Sequence, residues 1–295
     1  MVRFFYEPVV GQAPVSEPTE PEDIDYLANI RAAEAQTWKF QAMADDFTAS
    51  GFEVRTIPKD LILSEYFRAA NYEGDMDEQR RMELAQMGTA RVLPPEALSR
   101  KLEATTGYTW VKNGNNALTD TNYYKFFYGG IDSISVTERL SDMNGVMANI
   151  AERMSNEVAC DVTGFDFAKP VEERLLFPHV ELSDIPGGPG ANDAIRANIV
   201  YLHEHLLGET LAPNDPEIER TFQVYMDVWD DGQAGLADEL EPYPTALPNP
   251  CRATEDPITG PIPAELQVVE DPDYTARAWI AVMTYLLGDF QFLYE

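Results

Sequence analysis

Apolar positions in this chain recur mostly at three- and four-residue steps, the spacing that gathers side chains on one face of an α-helix. In Glu22–Phe47 the stripe runs Ile24, Leu27, Ile30, Ala33, Thr37 and Phe40. In Val146–Val158 it is Val146, Ile150, Met154 and Val158, and in Ala191–Leu207 it is Ile195, Ile199, Leu202 and Leu206, with Gly208 placed to cap. Asp215-Pro216 and Asp271-Pro272-Asp273 each put a capping acid beside a proline, a helix-start signal. The first opens a helix through Phe222, Tyr225, Met226 and Trp229 to Gly232, and the second precedes Tyr274–Tyr294, apolar on most faces and expected to be buried. Helices are also expected over Lys59–Asn71, Asp75–Met87, Pro94–Thr106 and Asp132–Cys160, the last with a break at Asn144-Gly145. Period-two alternation is scarce. The pattern predicts a mostly α, multi-helix globular fold with long Pro/Gly-rich loops.

Two helical strings echo each other. DLILSEYFRAANY at Asp60–Tyr72 and TYLLGDFQFLY at Thr284–Tyr294 share an aliphatic pair, a Ser or Gly, an acid, an aromatic and a tail ending in Tyr. The echo predicts two related helical units. Val10–Pro21, rich in Pro and Glu, reads as an extended linker. DIPGGPG at Asp184–Gly190 is the sharpest loop signal. The expected organisation is therefore a segment and linker at 1–21, one unit at 22–183 and a second at 191–295, either as two domains or packed as one. The start, from Met1 to Pro8, is too short in apolar length for a signal peptide and reads like the end of an apolar helix.

Composition narrows the function classes. With 295 residues, 44% hydrophobic and 11% aromatic, the chain can bury a core. No apolar run reaches the roughly 18–20 residues that span a bilayer. The net charge of −30, from 51 acids and 21 bases, repels phosphate backbones and anionic lipid, so nucleic acid is excluded as a natural partner. Cationic proteins and metal ions are the charged partners left, and the same charge also serves solubility.

Catalytic signatures are missing: there is no GxSxG, GxGxxG, P-loop or CxxCH haem-attachment string. Five weaker constellations remain. Asp227, Asp230 and Asp231 are oxygen ligands at a spacing that faintly matches a calcium loop, although Trp229 occupies a ligand position and no bidentate Glu closes it. His179, in a loop after Phe177-Pro178, is a candidate ligand or general acid, the basis for a metal-assisted hydrolase reading. His203 and His205 lie two apart, roughly 200° around a regular helix, so they cannot share one ion. Tyr123, Tyr124, Phe126, Phe127 and Tyr128 fit either core packing or a ligand groove. Cys160 and Cys251 lack CxxC spacing, and either form one disulfide or stay free.

The first echo is followed by GTARVLPPEALSRKL at Gly88–Leu102, and IRANIVYLHEHLLG occupies Ile195–Gly208. Together with the terminal LLGDFQFLY at Leu286–Tyr294, these strings resemble helical modules of large exported planctomycete and myxobacterial proteins that carry cytochrome-c-associated domains of unknown function. The resemblance covers about a third of the chain. It implies a helical fold, a periplasmic, cell-surface or secreted location, and a neighbouring c-type cytochrome. It supplies no catalytic residue, and this chain carries no haem-attachment motif of its own. The leading expectation is a non-catalytic acidic helical protein that docks a basic c-type cytochrome or another protein partner. The alternatives are the hydrolase centred on His179 and a structural subunit of a larger assembly, joined through Phe4-Phe5-Tyr6 and Phe290–Tyr294.

Overall fold

The computed structural model describes residues 1–69, 74–75, 77–85, 87–88, 91–131, 134, 140, 143–256 and 260–294. Among them the chain forms eleven α-helices and two minimal hairpins, a mostly α architecture. It divides into two compact units, Met1–Arg91 and Val92–Glu295.

In the first unit, α1 (Val2–Val10), α2 (Tyr26–Ala49), α3 (Thr56–Leu63), α4 (Glu65–Arg68) and α5 (Glu78–Leu84) surround a small core. Val2, Tyr6 and Val10 recur every four residues on α1 and pack with Phe40, Met43, Ile57, Leu61 and Tyr66. The Tyr6 ring meets Phe40 and Tyr66 edge-on at 5.1 and 5.9 Å. Its buried hydroxyl needs a partner and accepts from Gln36 Nε2 at 3.1 Å, while Gln36 Oε1 accepts the Val15 N–H at 2.8 Å. The linker is thus stitched to the core by one buried amide. Gly11, at φ 72°, ends α1, and the Arg91 guanidinium donates to the carbonyls of Val10 and Gly11.

The expected stripe on α2 is only partly right. Ala33 and Phe40 face inward, but Ile24 and Leu27 are exposed and the inner face is Ala28, Ala33, Gln36, Phe40 and Met43. Ile24 precedes the helix, which starts at Tyr26. Within it, small residues and an amide face the core, which a reading of apolar steps passes over. The expected helix over 59–71 is α3 and α4, broken at Ser64, whose hydroxyl turns back to the Leu61 carbonyl at 2.7 Å. Residues 70–72 of the first echo lie outside the described residues, as do Met76 and Gln86 of the helix expected at 75–87.

The second unit holds α6 (Pro95–Thr106), β1 (Val111–Lys112), β2 (Asn115–Asn116), α7 (Gly145–Phe167), α8 (Ala191–Leu202), α9 (Pro216–Leu236), β3 (Glu255–Asp256), β4 (Gly260–Pro261), α10 (Thr275–Leu287) and α11 (Phe290–Leu293). The α10 helix packs against both α7 and α9, and its Ala278, Trp279, Val282, Met283, Leu286 and Leu287 are fully buried. The Trp279 ring sits 5.2 Å from Phe177 and 4.9 Å from Tyr225. Asn113 and Gly114, both at positive φ, make the two-residue turn between β1 and β2 that the Asn-Gly signal demands. Asn144 caps α7, accepting the N–H groups of Val146 and Met147. Most of residues 132–142, where the first part of the expected 132–160 helix falls, lies outside the described residues.

The expected boundary at 184–190 lies inside this second unit. The reason is long-range closure. Val92 bridges Tyr294, and Leu93 N–H donates to the Leu293 carbonyl at 2.8 Å. A disulfide joins Cys160 of α7 to Cys251, 91 residues away, with Cα atoms 4.6 Å apart. Chain contact at that seam is tight: a Cβ on Gly164 would stand 2.7 Å from the Cys251 carbonyl oxygen. Asp166, the penultimate residue of α7 and 2% exposed, accepts the N–H groups of Leu175, Leu176 and Phe177 at 2.8–2.9 Å. It anchors the loop that carries Phe177 into the core.

Both echo strings make the same local shape, a helix, a break and a four-residue helix. They differ in cover. Leu286 and Leu287 are fully buried, whereas Ile62 and Leu63 are 45% and 55% exposed.

Candidate functional site

The α8 helix does not stop at Leu202 but widens into a π-helical turn, His203–Leu207, closed by Gly208 at φ 72°. Such turns displace side chains from regular helical positions and recur at functional sites. Here the two histidines go to different partners. His205 Nε2 bonds the Thr105 carbonyl at 2.7 Å. His203, 1% exposed, sits between Glu209 Oε2, 2.8 Å from Nδ1, and Thr221 Oγ1, 2.9 Å from Nε2.

Glu209 and His203 of this chain line a cleft of about 460 Å³, with Thr221 buried behind them. Glu217 and Arg220 enter from α9, Tyr285 from α10, and Asp289 and Gln291 from the turn around α11. Gln291 Nε2 donates to Glu209 Oε1, so each oxygen of that carboxylate has one partner. Glu217 is held in the same way: the Tyr285 hydroxyl donates to Oε1 at 2.7 Å and Arg220 donates to Oε2. Burial disfavours the charge on Glu217, but those two hydrogen bonds outweigh it and hold the carboxyl below its ordinary value. The same pairing, added to burial, pushes the Tyr285 phenol up to about 12.

A carboxylate–imidazole–hydroxyl series is the arrangement of nucleophilic catalysis. Its accessibility decides against that role. Thr221 is fully buried, does not line the cleft, and gives its hydroxyl to the Glu217 carbonyl at 3.1 Å. The chain therefore positions Glu209 and presents no nucleophile to solvent.

The residues singled out from sequence lie elsewhere. Asp227, Asp230 and Asp231 are exposed on the outer face of α9, and Asp227 accepts from Gln223 Nε2 at 2.6 Å. His179 places its ring edge-on to Tyr201 at 5.5 Å, and Tyr201 stacks on His205. Among the described residues no hydrogen bond or ion pair joins the His179 ring to a carboxylate, and no three His, Cys, Asp or Glu side chains gather as a metal site. Of the aromatic run, Tyr128 is fully buried and Tyr124 stacks on Trp110 at 4.9 Å, while Phe126 and Phe127 face solvent. At the aromatic ends Phe4 and Phe290 are exposed, the first edge-on to Phe5 and the second stacked on Tyr294 at 4.0 Å. Among the described residues no helix is long and apolar enough to cross a membrane. His203 was visible in the sequence only as half of a rejected metal pair. Glu209, Glu217 and Tyr285 carried no local signal.

A second ionisable cluster lies on α7. Glu157 takes hydrogen bonds from Trp110 Nε1, Lys112 and Arg153, and Asp161, one turn on, accepts from the Tyr108 hydroxyl at 2.8 Å. Burial pushes the Asp161 carboxyl from 3.8 up to about 6, and the Glu157 charge adds to it, against the Tyr108 hydrogen bond and Lys112. The folded protein thus holds this proton to higher pH than the unfolded chain. Its contribution to stability is complete below the unfolded value and is lost as pH rises through about 6. Asp161→Asn removes that loss. The shift alone converts to about 3 kcal/mol, and partial solvent access reduces the expected gain near neutral pH to about 1–2 kcal/mol. Urea unfolding of both proteins near pH 4 and near pH 7 checks it: the midpoints should separate only at the higher pH.

No protein-family model, curated protein or solved structure matches this chain.

Proposed function

We propose that this protein is a non-catalytic, exported or surface-associated docking subunit that receives a basic protein partner, of which a c-type cytochrome is the leading candidate. The observation that carries this reading is the charge pattern of the second unit. Between Arg220 and Arg252 the chain has six acids, Asp227, Asp230, Asp231, Asp238, Glu239 and Glu241, and no Lys, Arg or His. All six are exposed. Elsewhere much of the scarce basic charge is spent on local acids, as in Lys112–Glu157, Arg174–Glu181, Arg196–Glu219 and Arg277–Asp271.

The inner face of α9 packs Ile218, Thr221, Phe222 and Tyr225 into the core, and Asp227, Asp230 and Asp231 occupy its solvent face, with the other three acids just past its end. No base stands in the last turn of α9 to complement the helix dipole, and Asp238 follows it directly. That placement works against helix stability and favours the approach of a cation. Leu240, 91% exposed, and Tyr243 add apolar contact within the same stretch. A field of one sign steers an oppositely charged protein and fades with salt. The disulfide supports an oxidising location, as the resemblance to exported proteins implies.

The test is binding of a basic c-type cytochrome to the intact protein at low ionic strength, with Asp227→Asn/Asp230→Asn/Asp231→Asn as comparison. Binding that weakens several-fold in the triple variant supports the reading. Absence of binding, or binding indifferent to the three substitutions, contradicts it.

A further inference from the structure

We propose that the cleft between α9, α10 and the π-helical turn binds a neutral polyhydroxylated small molecule, a sugar or a sugar-like polyol. Its volume of about 460 Å³ falls within the range of small-molecule sites. Chemistry then selects the ligand. Glu209, Glu217 and Asp289 present acceptors, as does the Tyr285 oxygen, whose one proton goes to Glu217, and Arg220 and Gln291 present donors, in the same cleft. Each oxygen of Glu209 and Glu217 has one internal partner, which leaves a second lone pair on all four. The Arg220 side chain is 68% exposed and keeps N–H groups beyond the one given to Glu217.

An anion would meet three carboxylates in a chain of net charge −30. A metal ion would need three gathered ligands, which the described residues do not offer. An organic ammonium only donates, so it would leave Arg220 and Gln291 unmatched and would meet the Arg220 charge. A hydroxyl both donates and accepts, and a ring of hydroxyls can answer acceptors and donors interleaved on one wall. Leu207 and the Tyr285 ring give apolar surface for the C–H side of such a ligand.

The polar groups are already fixed before a ligand arrives. His203 holds Glu209, and Tyr285 with Arg220 holds Glu217, all on or beside packed helices. Little side-chain ordering is left to oppose binding. The site is separate from the acidic face of α9, and the proposal stands or falls independently of partner docking.

Saturation-transfer NMR on the full chain with D-glucose, D-galactose, D-mannose and N-acetylglucosamine tests it, with spermidine and glucuronate as charged competitors. At least one neutral sugar should bind. Gln291→Ala, a substitution at an exposed position, should weaken it at least tenfold with an unchanged circular dichroism spectrum, and Tyr285→Phe should weaken it as well. Neither charged compound should displace the sugar. No transfer to any of the four sugars, transfer unaltered in both variants, or displacement by spermidine would overturn the proposal.

Discussion

Reducing the Cys160–Cys251 bond, or replacing both cysteines with Ala, is expected to lower the unfolding free energy by about 3–5 kcal/mol. The bond closes a separation of 91 residues, and constraining a loop of that length removes much of the unfolded chain's freedom. Its position adds to the effect. It ties α7, the longest helix of the second unit, to the Pro-rich segment before β3, which has little secondary structure of its own. That segment still sends Leu247, Cys251 and Ala253 into the core. Without the bond, burial of those three, the bridges of Ala253 with Val268 and Ala246 with Glu270, and the Arg277 bonds to the Pro244 and Ala246 carbonyls hold it in place. Urea denaturation with and without reductant reads the result directly. Coincident midpoints would mean that the segment is held by packing alone.

Asp166→Ala is expected to cost about 3–5 kcal/mol. Its carboxylate accepts three consecutive main-chain N–H groups, from Leu175 to Phe177, in a place closed to water. Each amide stranded there loses a charge-assisted hydrogen bond worth about 1.5–3 kcal/mol, and local relaxation recovers part of the sum. Phe177 would lose its seat between Phe167, stacked at 4.3 Å, and Trp279. Asp166→Asn keeps one acceptor oxygen and should fall between the wild type and Ala. Thermal and urea unfolding of the three proteins checks the order, and a variant with Ala that unfolds like the wild type would refute the anchor.

Much of this fold was legible in local patterns because local physics decides them. Asp215-Pro216 and Asn144-Gly145 begin helices as the capping rules require, and Asn113-Gly114 makes a hairpin turn. The echoed strings do form matching helix–break–helix shapes. The burial of α10 on most faces followed from its composition. What periodicity misjudged was the side on which a helix packs: α2 turns alanines and Gln36 inward and leaves Leu27 and Trp38 outside. The division between units rests on contacts such as Val92 with Tyr294, which no loop signal reveals. The cleft was invisible for the same reason. Its members lie at 203, 209, 217, 220, 285, 289 and 291, and they meet only once a π-helical turn displaces His203 and α9 and α10 pack side by side.

The claim that the base-free acidic stretch between Arg220 and Arg252 receives a cationic partner is tested most directly by how association with a basic c-type cytochrome depends on salt. The account predicts an affinity that falls steadily as ionic strength rises, with a slope made shallower by neutralising Asp227, Asp230 and Asp231. An affinity independent of salt, or a slope unchanged by removing those three charges, would contradict it.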